Sequence, residues 1–223
     1  MPALSTSQKE SLAEATSLYH ANLPGSKAEE FLESRGLTNS AVAEEVNKYR
    51  LGYVVEPLPG HEYYRGMLAI PYMRWSPGSG WSVVSIRFRC LENECDHSSH
   101  PGGKYATVAG DTPRLYNTIS LLTAEDTVAI CEGEIDTITA SISDIPAVGV
   151  AGTQTWKRHF AEPFRGYETV YILADGDTAG REFAETLADK LSNAKILPCS
   201  QGEDVNSEVL KYGKKILLDR IDG

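Results

Sequence analysis

Three short acidic clusters in the second half of the chain carry its most legible chemistry: Glu132-Gly133-Glu134-Ile135-Asp136, Asp175-Gly176-Asp177 and Glu203-Asp204. Each follows an apolar run and precedes a helical pattern. Carboxylates brought close together repel one another unless hard cations neutralise them. Cations held by several carboxylates suit chemistry on phosphates, where they offset charge on the reacting oxygens. Each cluster also has a plainer reading. Asp177 or Thr178, and likewise Asp204, could simply cap a helix, and Asp175 could form a turn. Glu132 and Asp136, four residues apart, could be a charged helix start that favours the macrodipole. Three acidic strand ends in succession weigh against reading all of them this way. A calcium-binding EF-hand loop is excluded, because Ala179 stands where an oxygen ligand belongs and Thr186 where the bidentate Glu belongs.

The elements that must position these side chains follow from the pattern. After Leu121 the chain alternates strand and helix. Strands are predicted at Thr127–Cys131, Ala147–Val150, Thr169–Ala174 and Lys195–Pro198, with helices starting near Glu134, Gln154, Thr178 and Val205. Such alternation predicts an α/β fold with a Rossmann-like parallel sheet flanked by helices, whose ligands sit at the carboxyl ends of the strands. Upstream, helices are expected over residues 7–20, from the capping pattern at Ser26 to Gly36, and over Asn39–Tyr49. From Leu51 the chain reads as strands, and Val84, Ile86 and Phe88 are expected on one face with Ser85, Arg87 and Arg89 on the other. The change of pattern predicts a mixed α+β subdomain at residues 1–120 and the parallel-sheet domain at 121–223.

Composition sets further bounds. The net charge of −10 is unusual for a nucleic-acid binder. It is unevenly spread, however: residues 121–223 hold 10 Lys+Arg against 18 Asp+Glu, whereas residues 48–114 hold 8 against 6. The acid thus gathers where cations are expected, and the middle of the chain is mildly basic. No apolar run is long enough to span a bilayer and Met1–Glu10 lack a signal-peptide layout, so a cytoplasmic location is expected, that of the host if the chain is phage-encoded. The four cysteines do not form a secreted disulfide framework.

In the basic segment, Arg87 and Arg89 lie ~6.6 Å apart along one strand face, near the spacing of successive phosphates. Tyr63, Tyr64, Tyr72, Trp75, Trp81 and Tyr105 could stack on bases, although the plainer reading places most of them in the core and pairs the arginines with Glu92 or Glu94. Cys90, Cys95, His97 and His100 offer four zinc-type ligands within eleven residues. Their spacing matches no common ribbon or finger, and a loop tip with unpaired cysteines is the plainer reading. Cys131 reads as core.

The acidic pattern resembles the TOPRIM domain shared by bacterial-type primases, type IA and type II topoisomerases and some nucleases. Glu132 matches the Glu after the family's first strand, Asp175 and Asp177 its Asp-x-Asp, and Val148–Thr153 the primase stretch ending in Gly-Thr. Gly202-Glu203-Asp204-Val205-Asn206 is similar to the Lys-Asp-x-Asn/Asp-Glu segment of primases, with Glu203 in place of Lys and the following acid displaced to Glu208. Upstream, Tyr64–Pro71 resembles the Arg-x-x-hydrophobic-x-Pro strand of primases. Ser85–Arg89 with Lys104-Tyr105 resembles their Gly-x-x-x-Arg…Lys-Tyr succession, and Phe31–Leu37 with Leu51-Gly52-Tyr53 their helical entry.

The resemblance, over roughly residues 15–215, implies a DNA primase catalytic core that makes short RNA primers on single-stranded DNA from ribonucleoside triphosphates. Mg²⁺ or Mn²⁺ would be held by Asp175, Asp177 and Asp204, with Glu132 and Asp136 catalytic and Arg65, Arg87, Arg89 and Lys104 on template or primer phosphates. A replicative helicase would act in trans. Primases of this type usually carry a separate N-terminal zinc module, and Zn²⁺ at the Cys/His cluster would be a small site compensating for it. The competing readings are a TOPRIM nuclease, which uses the same carboxylates with water as nucleophile, and a non-catalytic template- or helicase-binding subunit. A phosphatase of the Asp-x-Asp-x-Thr kind fits poorly, because Ala179 replaces its Thr and Glu132 would have no role.

Overall fold

The computed structural model describes residues 4–92, 95–97 and 103–223. The chain forms two compact units that divide between Thr112 and Pro113. In the first unit, helix α1 (Thr6–Ala21) begins at Ser5, whose side chain and Gln8 cap each other reciprocally. Helix α2 (Lys27–Ser34) is capped by Ser26, which accepts from the Glu29 N–H, while the Glu29 carboxylate reaches back to the Gly25 N–H rather than to the cap itself. The helix expected over Asn39–Tyr49 shrinks to α3 (Ala43–Asn47). Asn39 starts a side-chain turn onto the Ala41 N–H, which delays the helix, and Arg50, at φ 54°, ends the segment.

Strands β1 (Gly52–Tyr53), β2 (Leu68–Ser76), β3 (Gly80–Arg89) and β4 (Tyr105–Thr107) pair antiparallel in that order. Ala15 and Tyr19 of α1 pack with Ala69, Val83, Ile86, Phe88 and Ala106 in one core, where Tyr64 stacks on Phe88 with ring centroids 4.0 Å apart. The expected alternation along β3 fails at one point. Tyr72 pairs with Ser85 and Met73 with Val83, so Val84 is the extra residue of a β-bulge and Val83 joins Ile86 and Phe88 in the core. Arg87 and Arg89 nevertheless share a face.

The second unit begins with a segment tied by Tyr116 to Gly149. It continues through α4 (Ser120–Thr123), β5 (Thr127–Cys131), α5 (Glu134–Ile142), β6 (Ala147–Gly149), β7 (Thr169–Ala174), α6 (Thr178–Ala188), β8 (Ala194–Pro198), α7 (Val205–Tyr212) and α8 (Lys215–Asp222). The four strands form a parallel sheet in the order β6-β5-β7-β8. Alternate residues feed opposite faces. Val128, Ile130, Val170 and Ile172 pack with Phe183 and Leu187 of α6, while Ala129, Cys131, Tyr171 and Leu173 pack with Ala140, Val205 and Leu217. A sheet covered on both faces explains why these strands read as unbroken apolar runs.

The helix expected near Gln154 is replaced by two 3₁₀ segments, Thr153–Thr155 and Arg158–Phe164. Trp156, Phe160 and Phe164 have helical spacing and pack together, but Pro163 lacks an N–H and disfavours the α conformation at Glu162.

Candidate active site

The strand order fixes where a ligand site must form. From β5 the chain passes to β6 on one side, whereas from β7 it passes to β8 on the other. The crevice between the carboxyl ends of β5 and β7 is therefore the topological switch point of the sheet, the usual ligand position in open α/β folds. Cys131 pairs with Leu173 across these strands, so Glu132 follows at the end of β5, and Asp175 lies one residue beyond its cross-strand position at the end of β7.

Two glycines allow this packing. A Cβ on Gly176 would lie 1.8 Å from the Ser200 carbonyl oxygen, and one on Gly180 would lie 2.4 Å from that of Asp175. The first therefore serves close approach rather than a left-handed turn. The Gly176 N–H donates to the Glu203 carbonyl at 2.8 Å and the Gly202 N–H to the Gly176 carbonyl at 2.9 Å, which ties the acidic loop after β7 to the one after β8.

The acidic side chains of the three loops act on one another. Asp175 is half-buried, and its pKa is pushed up to about 7, first by burial and then by the charges of Asp136, Glu132, Asp204 and Asp177. Glu132 is also raised, by burial and by Asp177. Asp136 accepts from the Asn206 N–H at 3.1 Å, joining the first turn of α5 to that of α7. Asp177 and Asp204 do cap helices: Oδ1 of Asp177 accepts from Gly180 N–H at 2.7 Å, and that of Asp204 from Ser207 N–H at 2.6 Å. Capping engages one oxygen of each carboxylate, and both still bear on Asp175. Capping thus leaves both charges beside Asp175.

These residues fit divalent cations. The donors are hard oxygens, and the strongest charges on Asp175 are all acidic. Among the described residues, no three carboxylates bring ligand oxygens within 4.8 Å of one another.

Sequence reasoning missed the support beneath this floor. Glu208 has a fully buried carboxylate that accepts from the Ser200 N–H at 2.6 Å and from both terminal nitrogens of Arg220. It thereby anchors Ser200, on whose carbonyl Gly176 rests. Burial raises the Glu208 pKa, but the hydrogen bonds from Arg220 and Ser200 outweigh that and lower it. Glu203, in the position where primases commonly have Lys, pairs instead with Lys211 at 3.1 Å.

The basic candidates lie in the first unit. The guanidinium groups of Arg87 and Arg89 lie 4.5 Å and 5.6 Å from the ring centre of Tyr105. Arg89 also covers the Phe31 ring at 4.0 Å, and its Nε donates to the Tyr105 hydroxyl at 3.1 Å. Arg35, Arg89 and Lys104 line a pocket of about 320 Å³. Arg65 is exposed and donates to the Val55 carbonyl at 2.6 Å. Glu92 pairs with Lys27, not with an arginine. Tyr64 and Tyr72 are core residues, whereas Tyr63, Trp75 and Trp81 are exposed. Cys90, Cys95 and His97 come together; His100 lies outside the described residues.

Comparison with known proteins agrees with this geometry. A Toprim-like family matches residues 129–209. The gene 57 protein of Mycobacterium phage D29 is 56% identical over 158 residues, which is 71% of this chain and 99% of that one. A DNA primase domain from Pseudomonas aeruginosa superposes with a TM-score of 0.76 at 21% identity, covering 96% of this chain and 78% of that one. The DnaG primase catalytic domain bound to single-stranded DNA gives 0.69 at 20% identity, covering 98% and 82%. The fold, across both units, is that of the primase catalytic core. Residues 129–209 form a Toprim-like domain, and the chain belongs to the same family as the phage D29 gene 57 protein.

Proposed function

We propose that this chain is the catalytic core of a DNA primase, joining ribonucleoside triphosphates into short RNA primers on a single-stranded DNA template. The observation that carries this reading is the gathering of Glu132, Asp136, Asp177 and Asp204 around Asp175 at the switch point between β5 and β7, where burial first and then these four charges raise the Asp175 pKa to about 7. The fold shared with primase cores along nearly the whole chain supports it, as does a relative that binds single-stranded DNA.

In this reading Asp175, Asp177 and Asp204 hold Mg²⁺ or Mn²⁺. Such cations, when bound, neutralise triphosphate charge and make a hydroxyl easier to deprotonate. Glu132, whose pKa is raised by burial and by Asp177, is the acid/base group for the attacking 3′ hydroxyl. Asp136, held by the Asn206 N–H, completes the acidic wall. Arg65, Arg87, Arg89 and Lys104 follow template or primer phosphates. Residues 1–120 and 121–223 are proposed as functional subdomains, with a helicase partner in trans and action in the host cytoplasm. Among the described residues, no helix is long and apolar enough to cross a membrane.

A TOPRIM nuclease is the second reading, because the family match at residues 129–209 lies wholly in the second unit and those carboxylates would also serve hydrolysis. Incubation with labelled ribonucleotides, single-stranded template and Mg²⁺ or Mn²⁺ separates the two. Template-dependent oligoribonucleotides are expected. Degradation of the template without added nucleotides, and no primer, would favour the nuclease.

A further inference from the structure

The cysteine–histidine cluster of the first unit lies outside the acidic site, and the priming reaction makes no use of it. Cys90 follows β3, is buried, and packs in the core with Ile86 and Phe88. Its N–H donates to the Lys104 carbonyl at 3.0 Å, closing the base of the connection between β3 and β4. Cys95 packs against the same core, and its thiol is hydrogen-bonded to that of Cys90. His97 brings an imidazole nitrogen to the pair, and the three ligand atoms lie within 4.8 Å of one another. No other trio of Cys, His, Asp or Glu among the described residues comes so close.

We propose that Cys90, Cys95 and His97 bind one zinc ion through two thiolates and an imidazole, with a fourth position left to solvent. The donor chemistry selects the metal. Thiolate and imidazole favour zinc-type cations over Mg²⁺ or Mn²⁺, which prefer oxygen. The spacing is compatible: tetrahedral zinc with Zn–S of about 2.3 Å puts its sulfurs ~3.8 Å apart. Arg35, Arg89 and Lys104 line the pocket that Cys90 and His97 also border.

The connection has a reason to need the metal. Residues 91–103 contain a single large apolar side chain, Leu91, and so have little surface to bury. A coordinated ion supplies the binding energy that such a loop lacks. The site would staple the loop bordering the Arg89–Lys104 pocket. It stands or falls independently of the priming reaction.

The test uses the full chain, purified under reducing conditions, stripped of metal and titrated with Co²⁺ as the probe. A sulfur-to-cobalt charge-transfer band saturating at about one equivalent is expected, and Zn²⁺ should abolish it. Cys95→Ser and His97→Ala should each weaken zinc binding by about 100-fold or more, whereas Asp175→Asn should leave it unchanged. Zinc X-ray absorption on the unaltered chain should give two sulfur ligands at about 2.3 Å, a readout that does not depend on any variant folding. A shell of oxygen alone, a cobalt band that persists in folded Cys95→Ser, or oxidation of Cys90 and Cys95 to a disulfide in the presence of zinc would each overturn the proposal.

Discussion

At the scale of the residue, Asp175 is the group whose protonation the site controls. With its pKa near 7, Asp175 is about half protonated in the metal-free chain at neutral pH, and a cation must displace that proton. Cation affinity should therefore rise as pH increases toward about 7, by up to about tenfold per unit, and level off above it; calorimetry in buffers of different ionisation enthalpy would count the released proton. The stability consequence has the opposite sign to that of an ordinary ion-paired acid. A folded-state pKa above the unfolded value of 3.8 means that the folded chain binds the extra proton, so metal-free stability falls as pH rises from about 4 to about 7. Asp175→Asn should remove that fall and stabilise the metal-free chain at pH 8 by ~1–2 kcal/mol, allowing for solvent screening of a half-buried group, while abolishing primer synthesis. Thermal unfolding at pH 5 and pH 8 with and without chelator checks this. The acids themselves were legible because each sits at the end of an apolar run. Their double duty was not, since whether a capping Asp also faces a second loop depends on strand order, which local spacing does not encode.

At the scale of the element, the loops after β7 and β8 form one structure. Gly176 lies against Ser200, Ser200 hangs from Glu208, and Glu208 is held by Arg220 of the last helix. Gly176→Ala should destabilise the fold by about 3 kcal/mol, because its Cβ would meet backbone and not a flexible side chain. Arg220→Ala leaves the Glu208 carboxylate buried without its cation and should cost about 3 kcal/mol. It should also reduce priming, although Arg220 touches none of the acidic cluster in the contacts described. Since Glu208 has a lowered pKa, the pair stabilises the fold above the usual carboxylate range and ceases to do so as pH falls through its folded pKa. Denaturant titrations at pH 7 and at successively lower pH should show the Arg220→Ala deficit shrinking as pH falls through the lowered Glu208 pKa. This support escaped sequence reading because Arg220 is 12 positions from Glu208, beyond any helical spacing rule. The strands β5 and β7 and the starts of α5, α6 and α7 were readable from apolar runs and caps. The region after β6 misled because Trp156, Phe160 and Phe164 mimic a helical stripe that Pro163 prevents from closing as an α-helix.

At the scale of the whole molecule, a primase of net charge −10 would meet polyanionic template through its less acidic first unit. Template affinity should therefore fall steeply with salt. Arg87→Ala and Lys104→Ala should each lower it and reduce the salt slope by about one, as expected for single phosphate contacts; fluorescence anisotropy over a salt series measures both. The change from antiparallel strands to alternating strand–helix units was legible in the residue pattern. The β-bulge at Val84 was not, because a bulge shifts the register without changing residue types.

The central claim is that carboxylates from three loops jointly hold divalent cations. Manganese binding followed by electron paramagnetic resonance, on the unaltered chain and on Asp175→Asn and Asp204→Asn, tests it most directly. Asn caps helices as well as Asp does, so the second variant keeps α7 in place while removing charge. Saturable Mn²⁺ binding is expected, weakened by about tenfold or more in each folded variant. Mn²⁺ affinity that is the same in all three proteins would contradict it.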